Sequence, residues 1–163
     1  MTQTNVHASC VMLAKAGVTF GAPQDAGILL LGPSGAGKSA LALRLLALGA
    51  VLVADDRVEL FAREGELWAC PPARLAGLLE VRGLGVVKRP HVGEARIALV
   101  ARLGKESPRM PERQSYAPPH PLELNRLPPL LEFAAGDAAV TEKVILATAA
   151  FADALFREDG NPL

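Results

Sequence analysis

Residues 32–39 read Gly-Pro-Ser-Gly-Ala-Gly-Lys-Ser, a full match to GxxxxGK[ST]. The flanks suit it. The apolar run 28–31 (ILLL) fits a strand buried on both faces, and residues 38–48 (KSALALRLLAL) are strong helix formers that Gly49 stops. In that setting backbone N–H groups turn inward around phosphate oxygens, and the helix N-terminus adds unpaired donors and a favourable dipole. Lys38 can then reach the β- and γ-phosphates of a nucleotide, and the Ser39 hydroxyl can ligate Mg²⁺. A turn that binds nothing would leave Lys38 at a helix start, where the dipole disfavours a cation.

Residues 51–54 (VLVA) form a second buried strand, followed by Asp55-Asp56. Strand, glycine-rich turn, helix and strand make a βαβ unit, hence an α/β architecture. Ligands of parallel sheets gather at the carboxyl ends of strands. If the 51–54 strand neighbours the one before the turn, at least one aspartate faces the phosphates. One carboxylate would hold Mg²⁺, directly or through water, and the other would accept a proton from an attacking hydroxyl. The spacing does not say which is which.

Elsewhere the patterning is less regular. Residues 6–13 alternate with Val6, Ala8, Cys10 and Met12 on one face, as in a strand, and a further strand is expected near 18–20. Segment 21–26 reads as a loop. Val58, Leu60 and Ala62, then Leu67 and Ala69, alternate about Glu64-Gly65 and predict a hairpin. Strands are expected within 79–87 and 97–103. Segment 104–129 holds seven of the 13 prolines and should be mostly irregular. Asp137 is placed to cap a last helix with Val140, Val144, Ala147, Phe151 and Leu155 on one face. The expected fold is α/β: one domain over 1–163 with a P-loop kinase core, a mixed sheet, antiparallel strand additions and a C-terminal helix.

Composition excludes several classes. Half the residues are apolar, and 17 Lys and Arg balance 17 Asp and Glu, which argues against disorder and against a nucleic-acid coat. Cys10 and Cys70 are far apart without a metal-ligand pattern, as expected of reduced thiols in a cytoplasmic protein. Residues 1–9 lack a signal pattern, and the apolar stretch 40–54 is interrupted by Arg44 and Gly49, so no membrane partner is expected. The zero net charge hides a local imbalance: 82–113 carries eight Lys or Arg against three Glu.

Residues 80–87 (EVRGLGVV) place Glu80 and Arg82 two apart, on one face if the segment is a strand. Alone, they read equally well as an exposed ion pair. In order, VHASCVML, GPSGAGKS, VLVADDRVEL and LEVRGLGVV, covering roughly the first 88 residues, resemble the catalytic C-terminal domain of the HPr kinase/phosphorylase family. The resemblance implies an ATP-dependent, Mg²⁺-dependent protein-serine kinase acting on HPr, the phosphocarrier of the sugar phosphotransferase system. Some members also remove the phosphate by phosphorolysis. It implies that Gly32, Pro33, Ser34, Gly35, Ala36, Gly37, Lys38 and Ser39 bind nucleotide, with Lys38 also catalytic. Ser39 and Glu80 would ligate Mg²⁺, Asp56 would be the proton acceptor with Asp55 beside it, and His7 would lie in the site. Arg82 would contact phosphate or HPr, and Arg109 or Arg113 would match a later catalytic arginine.

The chain also departs from that pattern. An extra N-terminal domain has no room in 163 residues, and the gap between His7 and Gly32 implies an inserted loop within 14–27. Ala40 stands where many members have Glu. The signature runs into Lys88-Arg89-Pro90-His91 and is shortened, in a segment that helps engage HPr. A basic loop tied to dephosphorylation appears as Phe133-Ala134-Ala135-Gly136-Asp137, without arginines, so weak or absent phosphorylase activity is expected. The resemblance leaves a homo-oligomer open. Two other readings compete. One is a nucleotide-binding sensor that transfers nothing. The other is a small-molecule P-loop kinase whose lid would use Arg89, Arg96, Arg102, Arg109 and Arg113.

Overall fold

A computed structural model describes residues 2–159. The apolar run of the glycine-loop strand extends to Ala26–Leu31 (β3). It pairs in parallel with the long strand Ala95–Gly104 (β9), whose far side meets Pro129–Ala134 (β11), also parallel. These strands are apolar because both their faces are covered. The helix Lys38–Ala47 (α1) follows β3 as expected, and Val140–Ala152 (α2) follows β11. Both helices cover one face, packing Leu41, Leu45, Val140, Val144 and Ile145 onto Ile28, Leu30, Leu99 and Ala101.

The other face carries Leu29, Ile97, Val100 and Leu130, and it is covered by strands of the same sheet. The hairpin expected about Glu64-Gly65 forms from Arg57–Arg63 (β5) and Glu66–Cys70 (β6), with β6 against the start of β9. The sheet thereby curls over its own second core, which Val58, Leu60, Leu67 and Ala69 fill. A register shift at Gly27–Ile28 leaves Ala98 as an extra residue on β9. Ile97 and Leu99 consequently serve opposite cores although they are two apart.

The N-terminal strand is two strands. Gln3–His7 (β1) pairs with β5, and Ser9–Met12 (β2) pairs antiparallel with β3 on one side and Val51–Ala54 (β4) on the other. Buried Ala8 is the break between them. The condition that β4 neighbours β3 is not met. They run parallel to each other, but β2 separates them, in the order β1-β5-β6-β9-β3-β2-β4.

Two other expectations change. Segment 18–20 is not a strand: Ala14–Phe20 forms 3-10 turns, with Val18 and Phe20 exposed. The last helix ends at Ala152, before Leu155, which is exposed. The Asp137 carboxylate accepts the Ala139 N–H at 2.8 Å and pairs with Lys143, so it fixes the turn ahead of α2 instead of capping its first turn. Of the segment 104–129, expected to be mostly irregular, Gly104 ends β9, Pro129 opens β11, and between them lies one two-residue strand, Gln114–Ser115 (β10), paired with β11. Cys10 is buried and Cys70 half-buried, both as free thiols, and burial pushes both thiol pKa values up. No helix among the described residues is long and apolar enough to cross a membrane.

Val100 and Leu29 are fully buried in the second core. Leu29→Ala should cost about 2–5 kcal/mol in a denaturant titration, whereas exposed Leu155→Ala should stay within about 0.5 kcal/mol.

Candidate functional site

The turn 32–37 leaves the carboxyl end of β3 and enters α1 through Gly37, whose φ of 105° is a left-handed conformation that suits glycine. It borders a cavity of about 540 Å³ lined by His7, Ser34, Lys38, Asp56, Glu80 and Arg82, with Ser9, Ser39 and other loop residues completing the wall. These residues come from β1, β2, the glycine turn, α1, the end of β4 and a small separate hairpin. That hairpin pairs Leu78–Val81 (β7) with Gly85–Lys88 (β8).

The two aspartates have different surroundings. Asp55 is 4% exposed, and its Oδ1 accepts the Ser9 hydroxyl at 2.7 Å and the Ser39 hydroxyl at 2.9 Å. Its Oδ2 accepts the Glu80 backbone N–H at 3.1 Å. A buried carboxylate needs such donors, and three elements supply them. Asp56 has a φ of 69°, unusual outside glycine, and this breaks the strand alternation. Its side chain is 58% exposed and faces the cavity. The pair thus resolves into one fixed carboxylate and one open to the cavity.

His7, the last residue of β1, sits between Asp56 and the glycine turn. Its Nδ1 is 3.0 Å from the Asp56 carbonyl oxygen and 3.6 Å from the carboxylate, and its Nε2 is 3.3 Å from the Ser34 hydroxyl. Lys38 is buried, and its ammonium donates to the carbonyls of Gly32 at 2.6 Å and Pro33 at 3.0 Å. Burial lowers the Lys38 pKa from its ordinary value, opposed by the negative charges of Asp55 and Asp56. Those charges and carbonyls hold a cation at a helix start, where the dipole alone would not.

Glu80 lies on β7 opposite Val86, its side chain exposed at the cavity and its N–H on Asp55. Arg82 does not share a strand face with it. Arg82 falls in the turn between β7 and β8, where Gly83 adopts a φ of 84°, and it reaches the same cavity from there. The structure does not bring Arg109 into this group; it is exposed in the 105–113 loop. Arg113 lies over the ring of Phe156 at 4.5 Å, beyond α2, and faces a different cavity. Ala135 of the arginine-free loop packs beside the glycine turn: a Cβ on Gly37 would lie 3.5 Å from that of Ala135.

Ser9 is the site residue that the motifs did not single out. A signal for it exists, since His7 and Ser9 are the polar positions opposite the Val6, Ala8, Cys10 face. The side chains that meet here, the Ser9 and Ser39 hydroxyls and the Asp55 carboxylate, present oxygens, as Mg²⁺ prefers. Among the described residues no cluster of three or more His, Cys, Asp and Glu is placed to hold a metal ion alone. Mg²⁺ fits such a site because it commonly uses one or two carboxylates together with substrate phosphates and water.

Comparison with known proteins agrees with this arrangement. The family model for the HPr Serine kinase C-terminal domain matches residues 2–99. HPr kinase/phosphorylase of Streptococcus thermophilus is 52% identical over 62 residues, 37% of this chain and 20% of that protein. The Clostridium tetani HPr kinase/phosphorylase is 50% identical over 66 residues, 40% of this chain and 22% of that protein. The chain thus spans about a fifth of the length of these curated relatives. The Hpr(Ser) kinase/phosphatase structure from Coxiella burnetii superposes with a TM-score of 0.72 at 20% identity, over 94% of this chain and 99% of that one, and so shares the fold. The matched segment holds His7, the glycine turn, both aspartates and the Glu80–Arg82 hairpin, and the chain belongs to the HPr serine kinase C-terminal domain family.

Proposed function

We propose that the chain is a P-loop protein-serine kinase that transfers the γ-phosphoryl group of ATP to a serine of HPr in the cytoplasm. The observation that carries this reading is the division between a fixed Asp55 and an open Asp56 beside Lys38. Phosphoryl transfer needs positioning and charge stabilisation above all. Backbone N–H groups of 32–39 and the Lys38 ammonium bind the phosphates, Lys38 exchanging its carbonyl partners for phosphate oxygens. Ser39 and Glu80, with Asp55 behind Ser39, would hold Mg²⁺, which supplies positive charge against the phosphate oxygens.

Asp56 takes the proton of the acceptor serine as its oxygen bonds to the γ-phosphorus and the bond to the β-phosphate oxygen breaks. His7 keeps Asp56 and the glycine turn in register through its two ring nitrogens. Arg82, on the exposed hairpin turn, is placed to meet the incoming phosphate or the acceptor protein. No role is assigned to Arg109. Without arginines in the 133–137 loop, phosphorolysis is expected to be weak or absent.

The test is incubation with ATP, Mg²⁺ and HPr, followed by the mass of HPr. A gain of about 80 Da on one serine is expected. ATP binding without any such gain would favour a nucleotide sensor, and ATP turnover on metabolites alone would favour a small-molecule kinase. Asp56→Asn should lower transfer by about 10²–10⁴-fold while ATP affinity is kept, and full activity in that variant would remove Asp56 as proton acceptor. Ser9→Ala should leave Asp55 short of one donor and cost about 1–3 kcal/mol of stability, read by thermal or denaturant unfolding.

A further inference from the structure

A second cavity, of about 610 Å³, lies away from the glycine turn. Pro23 precedes β3 and Arg96, Ile97 and Ala98 open β9, so this cavity sits at the amino ends of the parallel strands whose carboxyl ends carry the first site. Its volume is that of a small-molecule pocket. Three arginines from separate segments line it: Arg96 of β9, Arg113 before β10, and Arg126 ahead of β11. The basic excess of 82–113 is therefore not spent on the first site alone. Arg82 goes there, while Arg96 and Arg113 go here.

Two carboxylates against three arginines leave the lining with a positive excess. Glu66 and Asp153 also line the cavity, and Glu66 stands 3.9 Å from Arg96, the edge of ion-pair range. Among the described residues Arg113 and Arg126 form no ion pair. Arg113 instead lies over the rings of Phe156 and Phe151, at 4.5 and 5.7 Å. The carbonyl end of α2, which also borders the cavity, offsets part of the repulsion among the three cations. Apolar surface from Ile97, Leu127 and Phe151 completes the wall.

Arginine forks match carboxylate and phosphate geometry, and the apolar wall suits a planar or hydrophobic body. We propose that this cavity is a second ligand site, separate from the nucleotide site, for a small organic anion that joins a carboxylate or phosphate to an apolar body. Benzoate and phenyl phosphate are suitable probes, with benzyl alcohol as the neutral control, observed by amide chemical shifts in ¹⁵N-labelled protein. Both anions should shift amides in 96–98, 113–115 and 126–127 saturably, and the neutral alcohol should not.

Arg96→Gln/Arg126→Gln should weaken that binding about tenfold or more, and Lys38→Ala should leave it unchanged. Should the double variant fail to fold, Arg126→Gln alone, on an exposed loop position, should weaken it in the same direction. Phenyl phosphate shifts at 32–39 report the nucleotide site independently. Benzoate binding would separate a carboxylate preference from a phosphate one. The proposal is overturned if shifts are confined to 32–39, if benzyl alcohol matches the anions, or if the arginine variants lower the melting temperature without changing affinity.

Discussion

The hydrogen bonds on Asp55 connect the site to the fold. A carboxylate with 4% exposure is costly unless its oxygens are satisfied. Here the donors are the Ser9 hydroxyl from β2, the Ser39 hydroxyl from α1 and the Glu80 N–H from β7. A strand, the first turn of the glycine-loop helix and the EVRGLG hairpin are thereby pinned to one residue at the end of β4. Losing any donor leaves the others to hold a buried carboxylate, so the geometry of the glycine turn depends on this cluster.

That cluster also sets the surroundings of the adjacent aspartates apart. Asp55 directly follows β4, and its buried carboxylate is held by three donors. Asp56 adopts a left-handed φ of 69° and turns toward the cavity and His7. One residue of backbone separates a held carboxylate from one open to the cavity. At the same turn, the Lys38 ammonium is held by the Gly32 and Pro33 carbonyls.

Local features were legible in the sequence. The glycine turn with its strand and helix, and the hairpin about Glu64-Gly65, follow from short-range spacing and form where expected. Sheet order did not follow. Inserting β2 between β3 and β4 depends on pairing between segments distant in sequence, which alternation cannot report. Ser9 was passed over for the same reason: its partner lies on a strand that only the three-dimensional order brings alongside. Arg82 was misplaced because a strand pattern runs without a break into a glycine turn. The resemblance offers Arg109 or Arg113 as the match to a later catalytic arginine, but the Arg113 guanidinium lies over the rings of Phe151 and Phe156, a contact that sequence spacing does not report.

The central claim is that the two aspartates have separate roles, one holding the metal-binding side of the site and the other taking the proton. Single-turnover transfer to HPr, measured for Asp55→Asn and Asp56→Asn across a Mg²⁺ titration, tests it most directly. The account predicts that Asp55→Asn raises the Mg²⁺ requirement and recovers in part at high Mg²⁺, while Asp56→Asn stays slow at every concentration. Recovery of Asp56→Asn by Mg²⁺, with Asp55→Asn insensitive to it, would contradict the account.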